Sequence, residues 1–320
     1  MHVSCGRRKL PLGKIDNSPI EIPFDSQEER YALMPGTVLA LLVAFFVAGR
    51  DALSKITLKD TDEYVVCWAT ALFTFLFLLP TLFFVPVPYI REGFLVSLLI
   101  GAVLNLLARL VFLKAIKGAD LSLVAPLLSF SPAFLMLTMP IISSETPTLY
   151  GLVGLGLMVI GSCVLTIRKG EAGYGASIRN LLLQRWARMG LVVAIIWGMA
   201  GLVDKAGIYE SSPLFWAVCI QGFMVALAMP IVVRRTWARG KKISPVVKPM
   251  IPIGLANAVV VGCYVLALSL SPVSVVFTLY QTNIIFSVLL GWLLFRERDI
   301  KERLKGAGVM LAGVIIISAL

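Results

Sequence analysis

Ten continuously apolar runs divide the chain, each near the ~20 residues a helix needs to cross a bilayer. They fall at 34–54, 64–85, 93–113, 121–142 and 149–167, then at 189–207, 213–233, 249–268, 273–295 and 304–320. Lys and Arg cluster in the short segments between them. Continuous apolarity, in place of strand-like alternation, predicts helices and excludes barrel strands. Residues 1–33 are polar, of mixed charge and dotted with prolines, which predicts a largely disordered tail. No apolar core of signal-peptide length follows the basic cluster Arg7, Arg8, Lys9, so the span Met34–Ser54 is expected to act as its own insertion signal.

The pattern is stated twice. Glu145 to Gly161 reads ETPTLYGLVGLGLMVIG, and Glu297 to Gly313, 152 residues on, reads ERDIKERLKGAGVMLAG. The glutamate, Leu152/Leu304, Gly154/Gly306, Gly156/Gly308, Met158/Met310 and Gly161/Gly313 coincide. At an offset of 150, Ala44, Lys55, Phe73 and Pro80 fall on Ala194, Lys205, Phe223 and Pro230; at 153, Ile100-Gly101 falls on Ile253-Gly254. Each half holds five spans, an odd number, so the second half must enter the membrane from the opposite side. The expected fold is an all-α integral membrane protein of ten transmembrane helices in two inverted five-helix repeats, 34–167 and 189–320. The linker 168–188 contains ASIRNLLLQRWAR, where Ile178, Leu182 and Trp186 share one helix face beside Arg179, Arg185 and Arg188. That pattern predicts a short basic amphipathic helix lying on an anionic membrane surface.

Composition narrows the class further. The chain is 58% hydrophobic and 15% charged with a mean hydropathy of +0.90, more apolar surface than a soluble domain of 320 residues can bury. The net charge of +11 does not point to nucleic acid, because its Lys and Arg sit between apolar runs as in membrane proteins. Five cysteines at 5, 67, 163, 219 and 263 show neither CxxC nor metal-ligand spacing and read as small core residues. The single histidine, His2, lies in the tail, and no GxxxxGK[ST] motif is present, so neither a metal, another cofactor nor direct use of ATP is expected.

Two five-span repeats, each opening on a helix that ends in lysine and closing on Glu, a turn and a Gly-rich helix, resemble EamA-type members of the drug/metabolite transporter superfamily. The stretch KAIKGADLSLVAPLLSFSPAFLMLTMPIISSE and its continuation GLVGLGLMVIG carry the likeness, which extends over residues 34 to 320. The resemblance implies a ten-helix transporter of small metabolites, often an exporter, with a central cavity between the repeats. It says little about substrate, since the family moves many unrelated solutes.

Ionisable groups inside spans are costly, a few kcal/mol each, and need a reason. Arg50 and Asp51 end the first span and Arg109 the third; these spans run the same way, so an Asp51–Arg109 pair can form, with Asn105 one turn earlier on the same face. One reading is a group that binds an anionic or zwitterionic solute, or a carboxylate that titrates to couple protons. The other is a structural pair near the interface, with Arg50 and Lys55 snorkelling to headgroups. A second cluster lies deeper: Ser129-Phe130-Ser131-Pro132 between Pro126 and Pro140 in span four, and Thr278, Tyr280, Gln281, Thr282 and Asn283 in its repeat mate, span nine. Broken or polar segments at corresponding places in both halves point to a transporter's binding site; helix–helix hydrogen bonding is the alternative. Trp68, Trp197, Trp216, Phe223 and Tyr264 could line a cavity; most of them read as interfacial anchors near span ends, and Trp197, well inside its span, is the better cavity candidate. Lys55 and Lys205 read as helix-end residues, Glu145 and Glu297 as complements to the N-termini of the helices that follow them. The glycines of the repeated stretch read as packing faces, within a repeat or in a homodimer.

The composite expectation is a secondary transporter moving a small polar metabolite by alternating access in a bacterial inner membrane, with the lipid bilayer as its surroundings and no nucleic-acid partner. An intramembrane lipid-modifying enzyme would need paired carboxylates, histidines or a nucleophile–base set that the spans lack; a non-transporting scaffold or sensor would not need the polar, broken helices. Orientation divides two lines of argument. Loops after odd-numbered spans carry twenty of the 29 Lys and Arg, which places them in the cytoplasm and both termini outside, whereas the family resemblance implies cytoplasmic termini. By the charge bias, a topology reporter fused at Leu320 should be active on the external side; activity confined to the cytoplasm would reverse the assignment.

Overall fold

The computed structural model describes residues 26–85, 88–131, 134, 149–166, 183–239, 248–270, 276, 279–297 and 300–318. These residues carry ten α-helices and no strand: α1 (Ser26–Thr57), α2 (Glu63–Leu78), α3 (Phe94–Gly118), α4 (Leu121–Leu127), α5 (Leu149–Thr166), α6 (Arg185–Glu210), α7 (Pro213–Arg239), α8 (Met250–Leu270), α9 (Asn283–Phe295) and α10 (Ile300–Ser318). Five of them, α2 with its 3₁₀ extension, α3, α6, most of α7, and α8, are long and apolar enough to cross a membrane. Helix α3 shows what solvent it expects. Leu95, Val96, Leu99, Ile100, Val103 and Leu107 face outward, while Gly101, Ala102, Ala108 and Arg109 face in. An apolar exterior around a smaller and more polar interior is the arrangement lipid imposes.

Several boundaries move. Helix α1 starts at Ser26, so residues 26–33 continue the first helix and do not belong to the tail expected over 1–33; the segment SQEER is rich in good helix formers and places Glu28 and Glu29 in the first turn. The amphipathic linker helix expected over 176–188 is interrupted at Gln184, whose backbone is extended, and Arg185–Arg188 form the first turn of α6. Trp186 is thereby committed to the helix bundle, where it covers Gly118 at the end of α3. The rest of that linker, together with Pro132, Pro140, Glu145 and Thr278, lies outside the described residues.

Spans four and nine are broken at equivalent places. Helix α4 contains Pro126 and tightens into a 3₁₀ turn at Leu128–Phe130, as expected where proline removes an N–H from the ladder. At the corresponding place in the second half, Gln281 and Thr282 form a turn ahead of α9.

The repeated Gly-rich stretch forms the crossing of α5 with α10. A Cβ on Gly161 would meet the Met310 backbone nitrogen at 2.7 Å and the Gly306 carbonyl oxygen at 2.8 Å; a Cβ on Gly313 would meet the Gly154 carbonyl oxygen at 2.6 Å and the Met158 nitrogen at 3.0 Å. The start of each helix thus touches the end of the other, so the two equivalent helices run antiparallel. Glycine permits this close approach, and it joins one half of the chain to the other, not two points within a repeat. Gly156 and Gly308, on the other side of the same helices, have open space beside them. Gly161→Ala and Gly313→Ala should each cost ~1–3 kcal/mol through backbone overpacking, seen as a lowered melting temperature of the purified protein. Gly156→Ala and Gly308→Ala should stay within ~0.5 kcal/mol of the parent; equal effects at all four positions would refute the crossing.

Candidate functional site

A cavity of about 150 Å³ lies between α1, α2 and α3 of the first half and α6, α7 and α8 of the second, reaching the broken segments at Leu128, Ser131, Tyr280 and Gln281. Its first wall is built on Asp51. Arg50 Nε and Arg109 Nη1 both donate to Asp51 Oδ1, each at 2.9 Å. Arg109 Nη2 donates to Ser54 Oγ at 3.2 Å, and Ser54 donates to the Arg50 carbonyl at 2.7 Å. Arg50 Nη1 reaches across the halves to donate to Asn257 Oδ1 at 2.8 Å, and Asn257 Nδ2 donates to Thr74 Oγ1 at 2.8 Å. The snorkelling expected of Arg50 is not seen: its side chain turns inward and is buried. Spacing along the helices puts the two arginines at one carboxylate, and two cations sharing one anion leave the group with a surplus positive charge.

The opposite wall carries Asp204 of α6, which sequence reasoning passed over although an acidic residue inside an apolar run is a signal in itself. Trp216 Nε1 donates to Asp204 Oδ1 at 3.2 Å, and the Asn105 amide, which donates to the Gly101 carbonyl at 3.0 Å, lines the same cavity. No cation pairs with Asp204 among the described residues. Trp216 is fully buried and holds this carboxylate, so it is no interfacial anchor. Between the walls stand Tyr264 and Tyr280, ring centroids 6.4 Å apart.

Of the residues singled out from sequence, Arg50, Asn105, Arg109, Ser131, Trp197, Tyr280 and Gln281 line the cavity. Asp51, Ser129 and Asn283 do not. Asp51 sits behind the arginines. Ser129 donates to the Pro126 carbonyl at 2.6 Å within its own turn. Asn283 is buried, with Nδ2 unpartnered. Trp216 and Tyr264, among the aromatic residues singled out, line it as well, and residues that line it unforeseen are Asp204, Asn257 and Gln221. The two sequence clusters, which looked like separate sites at different depths, face one space.

A second constellation lies where α1 and α3 end and α4 and α10 begin. Glu297, 8% exposed, accepts from the Leu121 N–H at 2.9 Å and the Ser122 N–H at 3.1 Å, and also from the Ser122 hydroxyl. Lys55 Nζ donates to Glu297 Oε1 at 2.9 Å and to the Ala119 carbonyl at 2.9 Å. Arg303 contacts Glu297 at 3.4 Å and pairs with Asp120 at 2.6 Å. Glu297 therefore caps α4 of the opposite half, not α10, the helix that follows it. The short loop that carries it opens at Arg296, the C-cap of α9, a non-glycine residue at φ 52°, in the left-handed region that such residues seldom adopt. Lys55 is bound to the end of α3, and its repeat mate Lys205 donates to the Leu268 carbonyl near the end of α8. Each lysine reaches the third helix of its own half: Lys55 does so from the last turn of α1, as a helix-end residue, whereas Lys205 lies ahead of the last turn of α6.

None of the curated proteins compared with the chain matches it. A solved crystal structure is similar to it with a TM-score of 0.60 at 14% identity, over 90% of this chain and 96% of that one, so the fold is shared. The EamA-like transporter family matches twice, over residues 34–167 and 184–319. Both halves carry the family pattern, and their closing helices meet antiparallel. This multi-pass integral membrane protein belongs to the EamA-like transporter family.

Proposed function

We propose that the protein is a secondary transporter that moves a small polar metabolite by alternating access between two inverted repeats of five membrane spans each, outward across a bacterial inner membrane. The observation that carries this reading is the cavity itself: a space with charged and amide side chains set into an apolar wall, lined from both halves of a duplicated chain. Buried Arg50, Asp51, Arg109 and Asp204 are costly in a membrane, and a scaffold would gain nothing from placing them around a void. The equivalent breaks at Leu128–Phe130 and Gln281–Thr282 put backbone outside regular helix beside the cavity, which suits a site that must rearrange. Asp51, clamped between two arginines, positions their donors.

Access is controlled, in this reading, by the Lys55–Glu297–Arg303–Asp120 network, a latch joining the two halves on the side of the odd-numbered loops. Closed, it holds α1, α3, α4 and α10 together at that face; opening requires Glu297 to leave the N-terminus of α4.

Two measurements test these assignments. Solute counterflow in proteoliposomes should fall about three- to tenfold for Gln281→Ala, the loss of one neutral hydrogen bond to solute, with unchanged reconstitution; undiminished counterflow would remove Gln281 from the site. For the latch, Ser131→Cys in a background with all native cysteines replaced gives a cavity probe. Adding Glu297→Gln should raise its labelling by a membrane-impermeant thiol reagent from the odd-loop side only. Labelling unchanged from that side would leave Glu297 a helix cap and nothing more.

A further inference from the structure

One cluster of cations lies away from the cavity and takes no part in the latch. It sits on the odd-loop side, where α2 enters the membrane at Glu63, the apolar part of α7 ends at Arg235 and α3 ends at Gly118. We infer that Tyr64, Lys114 and Arg235 bind the phosphodiester headgroup of an anionic phospholipid, whose acyl chain lies along the outer face of α7.

The site is built around one phenol. Arg235 lies over the Tyr64 ring, its guanidinium carbon 3.8 Å from the centroid. Lys114 Nζ lies 4.7 Å from the same centroid and donates to the Tyr64 hydroxyl at 2.8 Å. These cation–π contacts hold both side chains in place without cancelling their charge. The nearby carboxylates do little to cancel it. Glu63 is engaged by Lys117 at 2.9 Å. Asp62 caps α2 by accepting from the Tyr64 N–H at 3.0 Å, and approaches Arg235 only at 3.8 Å, beyond hydrogen-bond range. Lys114 forms no ion pair among the described residues, and neither does the exposed Arg234. Lys55 and Arg303, on the same side of the protein, differ in this respect, since each is in direct contact with a carboxylate. The Tyr64 hydroxyl accepts from Lys114 and donates to nothing among the described residues. A guanidinium fork, an ammonium and a phenol O–H thus converge with donors to spare.

A phosphodiester suits that set. It carries one negative charge over two free oxygens, which a guanidinium can grip in parallel while an ammonium and a hydroxyl complete the shell. The depth of the site selects a lipid over a soluble anion. Arg235 closes its span, and basic pockets between spans at this level are where lipid headgroups are held. Directly below, Met229 and Val233 stand one turn apart on α7 and are exposed. An acyl chain lying on that apolar strip places its headgroup at Arg234 and Arg235. Tyr64 and Lys114 belong to the first half of the chain and Arg235 to the second, so the bound lipid bridges the halves outside the cavity.

The test is native mass spectrometry of the full chain, titrated in detergent with phosphatidylglycerol and with phosphatidylcholine of the same acyl chains. The first phosphatidylglycerol should bind about tenfold more tightly than the first phosphatidylcholine, whose choline cation meets a cluster already rich in positive charge. Excess inorganic phosphate should not displace it. Arg235→Gln should weaken the first phosphatidylglycerol about tenfold, the loss of one charge-assisted contact. Tyr64→Phe keeps the ring beside Arg235 and removes only the phenol donor, so a loss of about threefold is expected; this variant decides the matter if Arg235→Gln does not fold. Arg188→Gln makes the same change of charge at an exposed position on the same side and should leave binding unaltered. Equal affinity for the two lipids, undiminished binding by Tyr64→Phe, or equal losses at Arg235 and Arg188 would overturn the site and leave only diffuse surface charge. Displacement by inorganic phosphate would overturn the lipid assignment.

Discussion

Lipid offers a buried charge nothing to bond to, so every ionised group carried into the bundle must find its partner within the protein. In this chain that constraint organises the interior. Arg50 is bound through Asn257 to Thr74, Lys55 through Glu297 to the first turn of α4, and Arg303 to both Glu297 and Asp120. Most of these links cross from one half to the other. The bonds that satisfy buried polar groups are therefore also the bonds that assemble the two halves. Among the described residues Asp204 is the exception, with the neutral Trp216 indole as its donor and no cation beside it, and it faces the cavity.

The second assembling device has no charge at all. The α5–α10 crossing brings backbone to backbone through Gly154, Gly161, Gly306 and Gly313. Without a hydrophobic drive between helices in lipid, packing at this distance supplies dispersion contacts that larger residues would forbid. Its antiparallel register is a direct geometric trace of duplication with inversion. The polar and apolar devices divide the labour: the glycine crossing holds the last helix of each half together, and the charged network ties α1, α3 and α4 to the loop that precedes α10.

Much of this was legible in the residues. Apolar run length gave the helices, the doubled Glu–Gly pattern gave the halves, and helix register brought Asp51 and Arg109 within reach. Three readings failed for one shared reason. Glu297 was assigned to the helix that follows it, Trp216, with most of the aromatic residues, to the membrane interface, and Lys205 to the end of its own helix. Each inference used the residue's own helix, and each residue in fact bonds to another element: α4, Asp204 on the preceding helix, and the end of α8. Asp204 was overlooked because one carboxylate six residues before the helix end at Glu210 reads as interfacial when only its own helix is considered.

By itself, then, the sequence determined the solvent, the helices, the duplication and which residue types would be costly to bury, because these follow from local composition and from periodicity along one helix. Tertiary structure alone decided which costly groups meet. It placed two arginines on one carboxylate and left another carboxylate without a cation, and it merged two polar clusters into a single cavity. That outcome depends on how ten helices cross, a property of the whole bundle that no single helix encodes.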